Sequence, residues 1–386
     1  MNELPVGRRV AQWRVRRNMT QQQFADHLGK SKSWVDKVER GVRRLEQVSN
    51  LRLVAETLRI DLEVLLAGES ERPDTVAAGV DPVLAALARY HVEASARPPE
   101  VAELRARLDH AEQSYRHARY PELLALLPGL VDAVRAARAT RPGRTTDALL
   151  ARGYGLVALA LLKVDQREVA WLAADRAVAA AQVTKDPWVA AAAAVPLAQA
   201  LRHGGRRRSA MEVAAVAAHR LVPLRPGDDP SADPALLGTL LLQAGLAAAG
   251  QGDGRGARDL LDRAGRAARE GGGEGGGAAV EAARVVAEAA LGEVTAATVR
   301  HERLVAGDEW RLLPAEHRAA YLLDVARAYA QAGDMSRAGR AVLEAERTAR
   351  TEVHDRPTVR HLVAVVARSA AAPPGLARLA ATLHVT

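Results

Sequence analysis

Two stretches of this chain repeat one spacing of small residues, and that spacing limits the possible folds more than any other feature. "LLLQAGLAAAGQGDGRGARDLLDRA" (240–264) and "YLLDVARAYAQAGDMSRAGRAVLEA" (321–345) align when Gly252-Asp253 is set on Gly333-Asp334. Seven residues before each turn glycine stand Gly245 and Ala326. Four after each Asp stand Ala257 and Ala338, and seven further on come Ala264 and Ala345. Small side chains at helical spacing on both sides of a Gly-Asp break describe two helices folded back at close range, with the glycine making the turn. Weaker breaks near Asp165, Gly204 and Gly292 continue the pattern at a pitch of about forty residues. One such unit cannot bury its apolar face alone, so the expected architecture is a stack of helical hairpins, an α-solenoid.

Composition agrees. The hydrophobic 48 % is mostly Ala, Leu and Val, and aromatic residues make up only 3 %. Strong helix formers dominate and sheet formers other than Val are scarce, so the fold class is all-α. At 386 residues the chain is expected to form two or more domains. With no cysteine it has no disulfide and no thiolate metal site. The N-terminal "MNELPVGRRVAQW" lacks an apolar signal core. The longest apolar runs, Pro187–Leu201 and Ala235–Gly250, fall short of the ~18 residues of a membrane span. A cytoplasmic protein is the expectation.

Charge is distributed unevenly. The net charge is +8, and residues 1–66 carry 13 Lys/Arg against 8 Asp/Glu. The first sixth of the chain thus holds most of the excess, as a nucleic-acid-binding head on a nearly neutral body would. Only five of the 54 basic residues are lysines, and three of them, Lys30, Lys32 and Lys37, fall inside "GKSKSWVDKVERG" (29–41).

Helix signals are dense here. Val6, Val10, Trp13 and Arg17 share one face of a first helix opened by Pro5. Thr20 and Gln23 form a capping box for "QQQFADHL", and Gly29 breaks the chain after it. Ser31 or Ser33 caps a third helix that runs to Gly41. A fourth helix follows from about Gln47, and the short "DLEVLL", capped by Asp61, is a fifth. Two short helices joined by a tight turn form a helix-turn-helix, whose second helix enters the major groove. Val35 and Val38 define the buried stripe of that helix, which puts Lys32, Asp36 and Lys37 outside the core.

Residues 5–68 resemble the XRE (Cro/C1-like) repressor-type DNA-binding domain, with Val10, Phe24, Ala25, Leu28, Val35, Val38, Leu53, Ala55, Leu58 and Leu65 at its core positions. The resemblance implies base contacts from Lys32, Ser33 and Lys37, with Asp36 beside them, and a phosphate contact from Gln21. It also implies that Arg14 and Glu39 are an internal, structural salt bridge. Lys30 ahead of the helix, and Arg40, Arg43 and Arg44 after it, are placed to hold the phosphate backbone. Trp34 reaches either a sugar or thymine methyl, or the helix–helix junction.

The expected organisation is a DNA-binding domain at 1–68, a polar linker at 69–82 and a helical-repeat sensor and dimerisation domain at 83–386. The repeat spacing resembles the tetratricopeptide repeat. The C-terminal part resembles sensor halves of repressor-type regulators from high-GC Gram-positive bacteria. That combination also recurs in peptide-pheromone receptors, which hold peptide backbones largely with asparagines. Here Asn stands only at positions 2, 18 and 50. Gln113, Gln166, Gln182, Gln199 and Gln243 are candidate substitutes, and Tyr154, Trp171 and Trp188 are the aromatics expected to line a groove. "EGGGEGGG" (270–277) lacks a following Gly-Lys-Ser/Thr and reads as an interhelical loop rather than a phosphate loop. "RRR" (206–208) reads as a solvated turn. The scattered histidines show no metal-ligand spacing, and no nucleophile–base arrangement stands out, so no cofactor, metal or catalytic residue is expected. The expected function is a homodimeric, ligand-modulated transcriptional repressor or activator on a palindromic operator in double-stranded DNA. The alternative is a repeat-protein adaptor that binds another protein.

Overall fold

The computed structural model describes residues 6–17, 19–43, 48–58, 60, 75–90, 99–221, 233–272 and 275–385. The described residues are helical and contain no strand. They divide into two compact units, Met1–Thr75 and Val76–Thr386.

In the first unit α1 (Val6–Arg16), α2 (Gln21–Leu28), α3 (Lys32–Glu39) and α4 (Val48–Leu58) pack around Val10, Phe24, Ala25, Leu28, Val35, Val54 and Leu58. Leu51 and Val54 are buried on α4, whereas Leu53, expected in the core, is only partly covered. Ala55 and Leu58 are buried as expected, and Val54 takes the place expected of Leu53. Gly7 lies against the end of α3: a Cβ there would stand 1.9 Å from the Val38 carbonyl oxygen. The expected fifth helix, Leu65 and Arg44 lie outside the described residues.

The expected linker, 69–82, is corrected in its second half. Helix α5 runs Thr75–Ala88 straight through Pro82, because Val80, Val83 and Leu87 are apolar at helical spacing and bury themselves in the body. Pro82 is exposed, on the side of the helix away from those contacts.

The body continues with α6 (Val101–Arg116), α7 (Tyr120–Thr140), α8 (Arg144–Lys163), α9 (Arg167–Thr184), α10 (Pro187–His203), α11 (Arg207–Leu221), α12 (Pro234–Gly250), α13 (Gly254–Glu270), α14 (Gly276–Ala290) and α15 (Val294–Ala306). A 3-10 turn (Asp308–Leu312) then precedes α16 (Ala315–Gln331), α17 (Met335–Thr348), α18 (Arg350–His354), α19 (Pro357–Ala367) and α20 (Pro374–Thr382). Each expected break is a left-handed turn: Asp165 (φ 57°), Gly205 (77°), Gly252 (85°), Gly292 (82°) and Gly333 (81°). Ala118 (φ 56°), which joins α6 to α7, and Lys185 (φ 54°), which joins α9 to α10, are left-handed as well, with no glycine to announce them. The first helices of successive hairpins, α6, α8, α10, α12, α14 and α16, pack on one another as one layer, and the second helices form the other. Small residues make this possible. A Cβ on Gly245 would come within 2.8 Å of Leu261 across the α12–α13 pair. Of "EGGGEGGG", Gly276 and Gly277 already belong to α14.

Among the described residues one helix, α8, is long and apolar enough to cross a membrane. Its apolar window is 78 % buried inside the body, as a core helix requires.

The last helices return onto the first. The Lys163 ammonium at the end of α8 bonds Glu316 on α16 and lies 2.8 Å from Glu352 on α18. Glu352 is fully buried and also accepts from Tyr120 Oη and from Arg356 at 2.7 Å. Tyr115 Oη donates to Glu316 at 3.3 Å, and the Thr358 N–H donates to Asp165 at 3.0 Å. Burial alone would raise the Glu352 carboxyl, but the Lys163 and Arg356 charges and their hydrogen bonds hold it down at about 2. Burial would lower Lys163, but Glu316 and Glu352 outweigh it and raise it.

Candidate nucleic-acid interface and inner groove

The expected base-reading helix is held at both ends by local chemistry. Thr20 Oγ1 accepts from the Gln23 N–H at 3.2 Å, and Gln23 Oε1 accepts from the Thr20 N–H at 2.9 Å, closing the capping box of α2. Gly29 adopts φ 61° and ends α2. Ser31, not Ser33, caps α3, its Oγ accepting from the Trp34 N–H at 3.1 Å. Ser33 is therefore left on the exposed face.

With Val35 and Val38 each 1 % exposed, the opposite side of α3 presents Lys32, Ser33 and Lys37 to solvent, with Arg40 beyond the helix end. Lys32 and Lys37 have no carboxylate partner among the described residues. Asp36 is half-buried and pairs with Arg40 at 3.3 Å, so the two neutralise each other in the free protein. Trp34 is half-buried, packs on the core of the unit, and has the Lys30 ammonium 6.0 Å from its ring centroid. This packing is what the expected junction role requires. Arg43 is exposed, its N–H bonded to the Lys37 carbonyl at 2.9 Å.

The Arg14–Glu39 pair is present and bidentate. Arg14 Nε and Nη2 reach the two carboxylate oxygens at 2.6 and 3.1 Å, and Nη1 donates to the Met19 carbonyl at 2.6 Å. Glu39 is 5 % exposed, so this clamp locks α1 to the end of α3 away from water. Sequence reasoning missed its third member. Gln21 Nε2 donates to Glu39 Oε2 at 2.8 Å, which commits one amide hydrogen of the expected phosphate contact. The remaining amide hydrogen and the backbone N–H at the start of α2 are what Gln21 has left for a phosphate.

In the body, the faces of α6, α8, α10 and α12 enclose a groove of about 720 Å³. Leu149, Leu156, Val189, Pro196 and Leu236 form its apolar wall. Its rim carries Arg105, Arg144 and Arg152. Arg152 is held by Glu112 and Asp109, each at 2.5 Å, while Arg105 and Arg144 have no carboxylate partner among the described residues. The expected aromatics do not line it. Tyr154 is turned to the opposite side of α8, where it accepts from Arg135 Nε at 2.8 Å and borders a separate cavity of about 690 Å³. Trp171 sits on the other helix layer, 42 % exposed, with the Arg206 guanidinium 4.9 Å above its ring. Trp188 packs into an interhelical core cluster beside Leu236. None of Gln113, Gln166, Gln182, Gln199 and Gln243 borders the groove either. The signal that would have found it is the run of small and branched residues at helical spacing, Ala148-Leu149, Ala151-Arg152 and Gly155-Leu156, repeated at Val189, Ala192-Ala193 and Pro196.

Residues 5–67 match the family model described as "Helix-turn-helix domain", so the head is a helix-turn-helix domain. No curated protein matches the chain. Among solved structures the chain is similar to a Rap protein complexed with Competence and Sporulation Factor, at 15 % identity over 91 % of this chain and 99 % of that one, TM-score 0.53. It is also similar to aspartyl phosphate phosphatase F from Bacillus subtilis (12 % identity, 89 % of this chain, 93 % of that one, TM-score 0.48). A third is Bacillus thuringiensis PlcR in complex with the peptide PapR7 and DNA (12 % identity, 69 % and 94 %, TM-score 0.31). The first likeness is one of helical fold; the other two add nothing to it. The protein is thus a helix-turn-helix head on a helical body.

Proposed function

We propose that the chain is a sequence-specific DNA-binding transcriptional regulator of the XRE kind, a homodimer on a palindromic operator whose activity is set by a ligand in the repeat body. One observation carries the reading: Lys32, Ser33 and Lys37 stand free on the outward face of a helix whose inward face is Val35 and Val38, behind the Gly29 turn. Lysine at such a position donates to guanine O6 and N7 in the major groove. Lys30, Arg40 and Arg43 flank the helix as phosphate contacts, with Arg44 next in sequence and Gln21 at the start of α2. Arg40 is released from Asp36 when it turns to a phosphate, and the freed Asp36 carboxylate accepts from a cytosine amino group. Trp34 supports α3 from behind and meets DNA only at its ring edge.

The ligand reading rests on the inner groove. Its apolar wall, with Arg105 and Arg144 uncompensated at the rim, suits a molecule that is apolar along its length and carries a carboxylate: a short peptide or a small organic acid. The likeness in fold to a Rap protein complexed with Competence and Sporulation Factor supports a ligand-binding body.

Selection from randomised duplexes with the full chain tests the proposal. The expected result is an enriched, two-fold symmetric site with half-site centres about one helical turn apart. Binding that is salt-dependent but indifferent to sequence, with a stable co-purifying protein, would instead support an adaptor.

A further inference from the structure

A second cavity of the body, of about 840 Å³, lies near its C-terminal end, away from the helices that line the inner groove. It is walled by α15, α16, α17, α20 and the 3-10 turn Asp308–Leu312. Several observations set it apart from ordinary repeat packing. The chain holds few aromatics, yet Trp310, Tyr329 and His301 all border this cavity, joined behind its wall by the buried Tyr321. Trp310 stands against Tyr321 at 5.4 Å, and His301 is 5.6 Å from Tyr321 and 6.2 Å, edge-on, from Tyr329. Trp310 reaches the cavity only because the connection between α15 and α16 is expanded by a 3-10 turn, unlike the tight turns inside the hairpins. His301 Nδ1 is engaged by the Tyr321 hydroxyl at 2.8 Å, which fixes the plane of a ring that borders the cavity.

The charges are unbalanced. Glu302 is paired with Arg337 at 3.5 Å, Glu344 with Arg347, and Glu346 with His354 at 2.9 Å. Arg340 and Arg378 also border the cavity, and neither has a carboxylate partner among the described residues. Arg340 makes only a bond to Ser336 Oγ at 2.9 Å. Four arginines thus border the cavity against three carboxylates, and this excess of one positive charge beside an aromatic wall matches one chemistry: a flat ring held against Trp310 and His301, and an acidic group held by Arg340 and Arg378.

We propose that this cavity is a binding site for a planar aromatic anion, a ring system bearing a phosphate or carboxylate, distinct from the inner groove. The site depends neither on DNA binding nor on a ligand in that groove.

The full chain labelled with 5-fluorotryptophan tests it, because each of the five tryptophans gives one fluorine resonance and Trp310→Phe assigns the relevant one. The probes are 1-naphthyl phosphate and the uncharged 1-naphthol. The expected result is a saturable shift of the Trp310 resonance by naphthyl phosphate. Binding should weaken about tenfold or more in Arg340→Gln/Arg378→Gln, and naphthol should bind no better than the phosphate does to that variant. The other four resonances report whether the variant is folded, and Arg378→Gln alone, at an exposed position, gives a second test. A Trp310 resonance unmoved at millimolar phosphate probe, equal binding of the two probes, or unweakened binding by both folded variants would overturn the proposal.

Discussion

At Gly7 a single methyl group decides whether the head folds. With the Val38 carbonyl oxygen 1.9 Å from where a Cβ would stand, Gly7→Ala must push α1 off α3, and backbone is the part that cannot yield. We expect a loss of at least about 3 kcal/mol in the stability of the head, seen as an earlier urea transition, with the body's transition unchanged. Titration provides the second residue-scale expectation. Burial, then the charges of Arg202, Arg356, Lys163 and Arg167, holds His203 well below its usual value. Burial likewise lowers His317, with Glu316 opposing it. Both therefore take up a proton less readily in the folded body than in the unfolded chain, which does so near pH 6.5. Stability therefore falls as pH drops below about 6.5, by up to about 1.4 kcal/mol per pH unit for each histidine. Glu352 adds nothing in that range, since its contribution is complete above about pH 4.3 and is lost only towards about 2. Thermal unfolding between pH 7.5 and 5.5 should show the slope, and His203→Gln/His317→Gln should flatten it. An unchanged slope in that variant would remove the explanation.

Among the elements, what the sequence disclosed was local. The capping box at Thr20 and Gln23, the turn at Gly29 and the left-handed positions at 165, 252, 292 and 333 each follow from residues within one helical turn of each other. So does the division of α3 into an inward Val35 and Val38 and an outward Lys32 and Lys37. The Ala118 turn was not legible, because alanine carries no mark of a left-handed backbone. Nor was the Lys163 cluster, whose partner Glu352 lies 189 residues away, since hydrophobic periodicity says nothing about which distant elements meet. The rarity of lysine was a clue to it: Lys163 is one of only five. Glu352 is fully buried and holds both Lys163 and Arg356, so Glu352→Gln should destabilise the body by about 3–5 kcal/mol. Lys163→Met should cost less when added to Glu352→Gln than alone, because a neutral partner no longer needs the charge. Additive losses in the calorimeter would show that the two groups act separately.

For the whole molecule, the division into a basic head and an Ala-rich helical body was readable from charge and repeat spacing, while the place of the groove was not. Tyr154, Trp171 and Trp188 drew notice as aromatics, yet the groove is built from small and branched side chains on four helices of one layer. Aromatic identity cannot tell which side of a helix pair a residue faces; the stacking of the hairpins decides that. In the head, the clamp of Arg14 and Gln21 closes on a buried Glu39, while Lys32, Ser33 and Lys37 are left exposed. The central claim is that the outward face of α3 reads bases while the residues beyond it hold phosphates, and comparing Lys37→Ala with Arg43→Ala in randomised-site selection tests it most directly. We predict that Lys37→Ala relaxes sequence preference at one position of each half-site, whereas Arg43→Ala weakens binding to all sequences alike and lowers its salt dependence by about one phosphate's worth. If the two variants select the same sites with the same loss of affinity, α3 does not read DNA in this way.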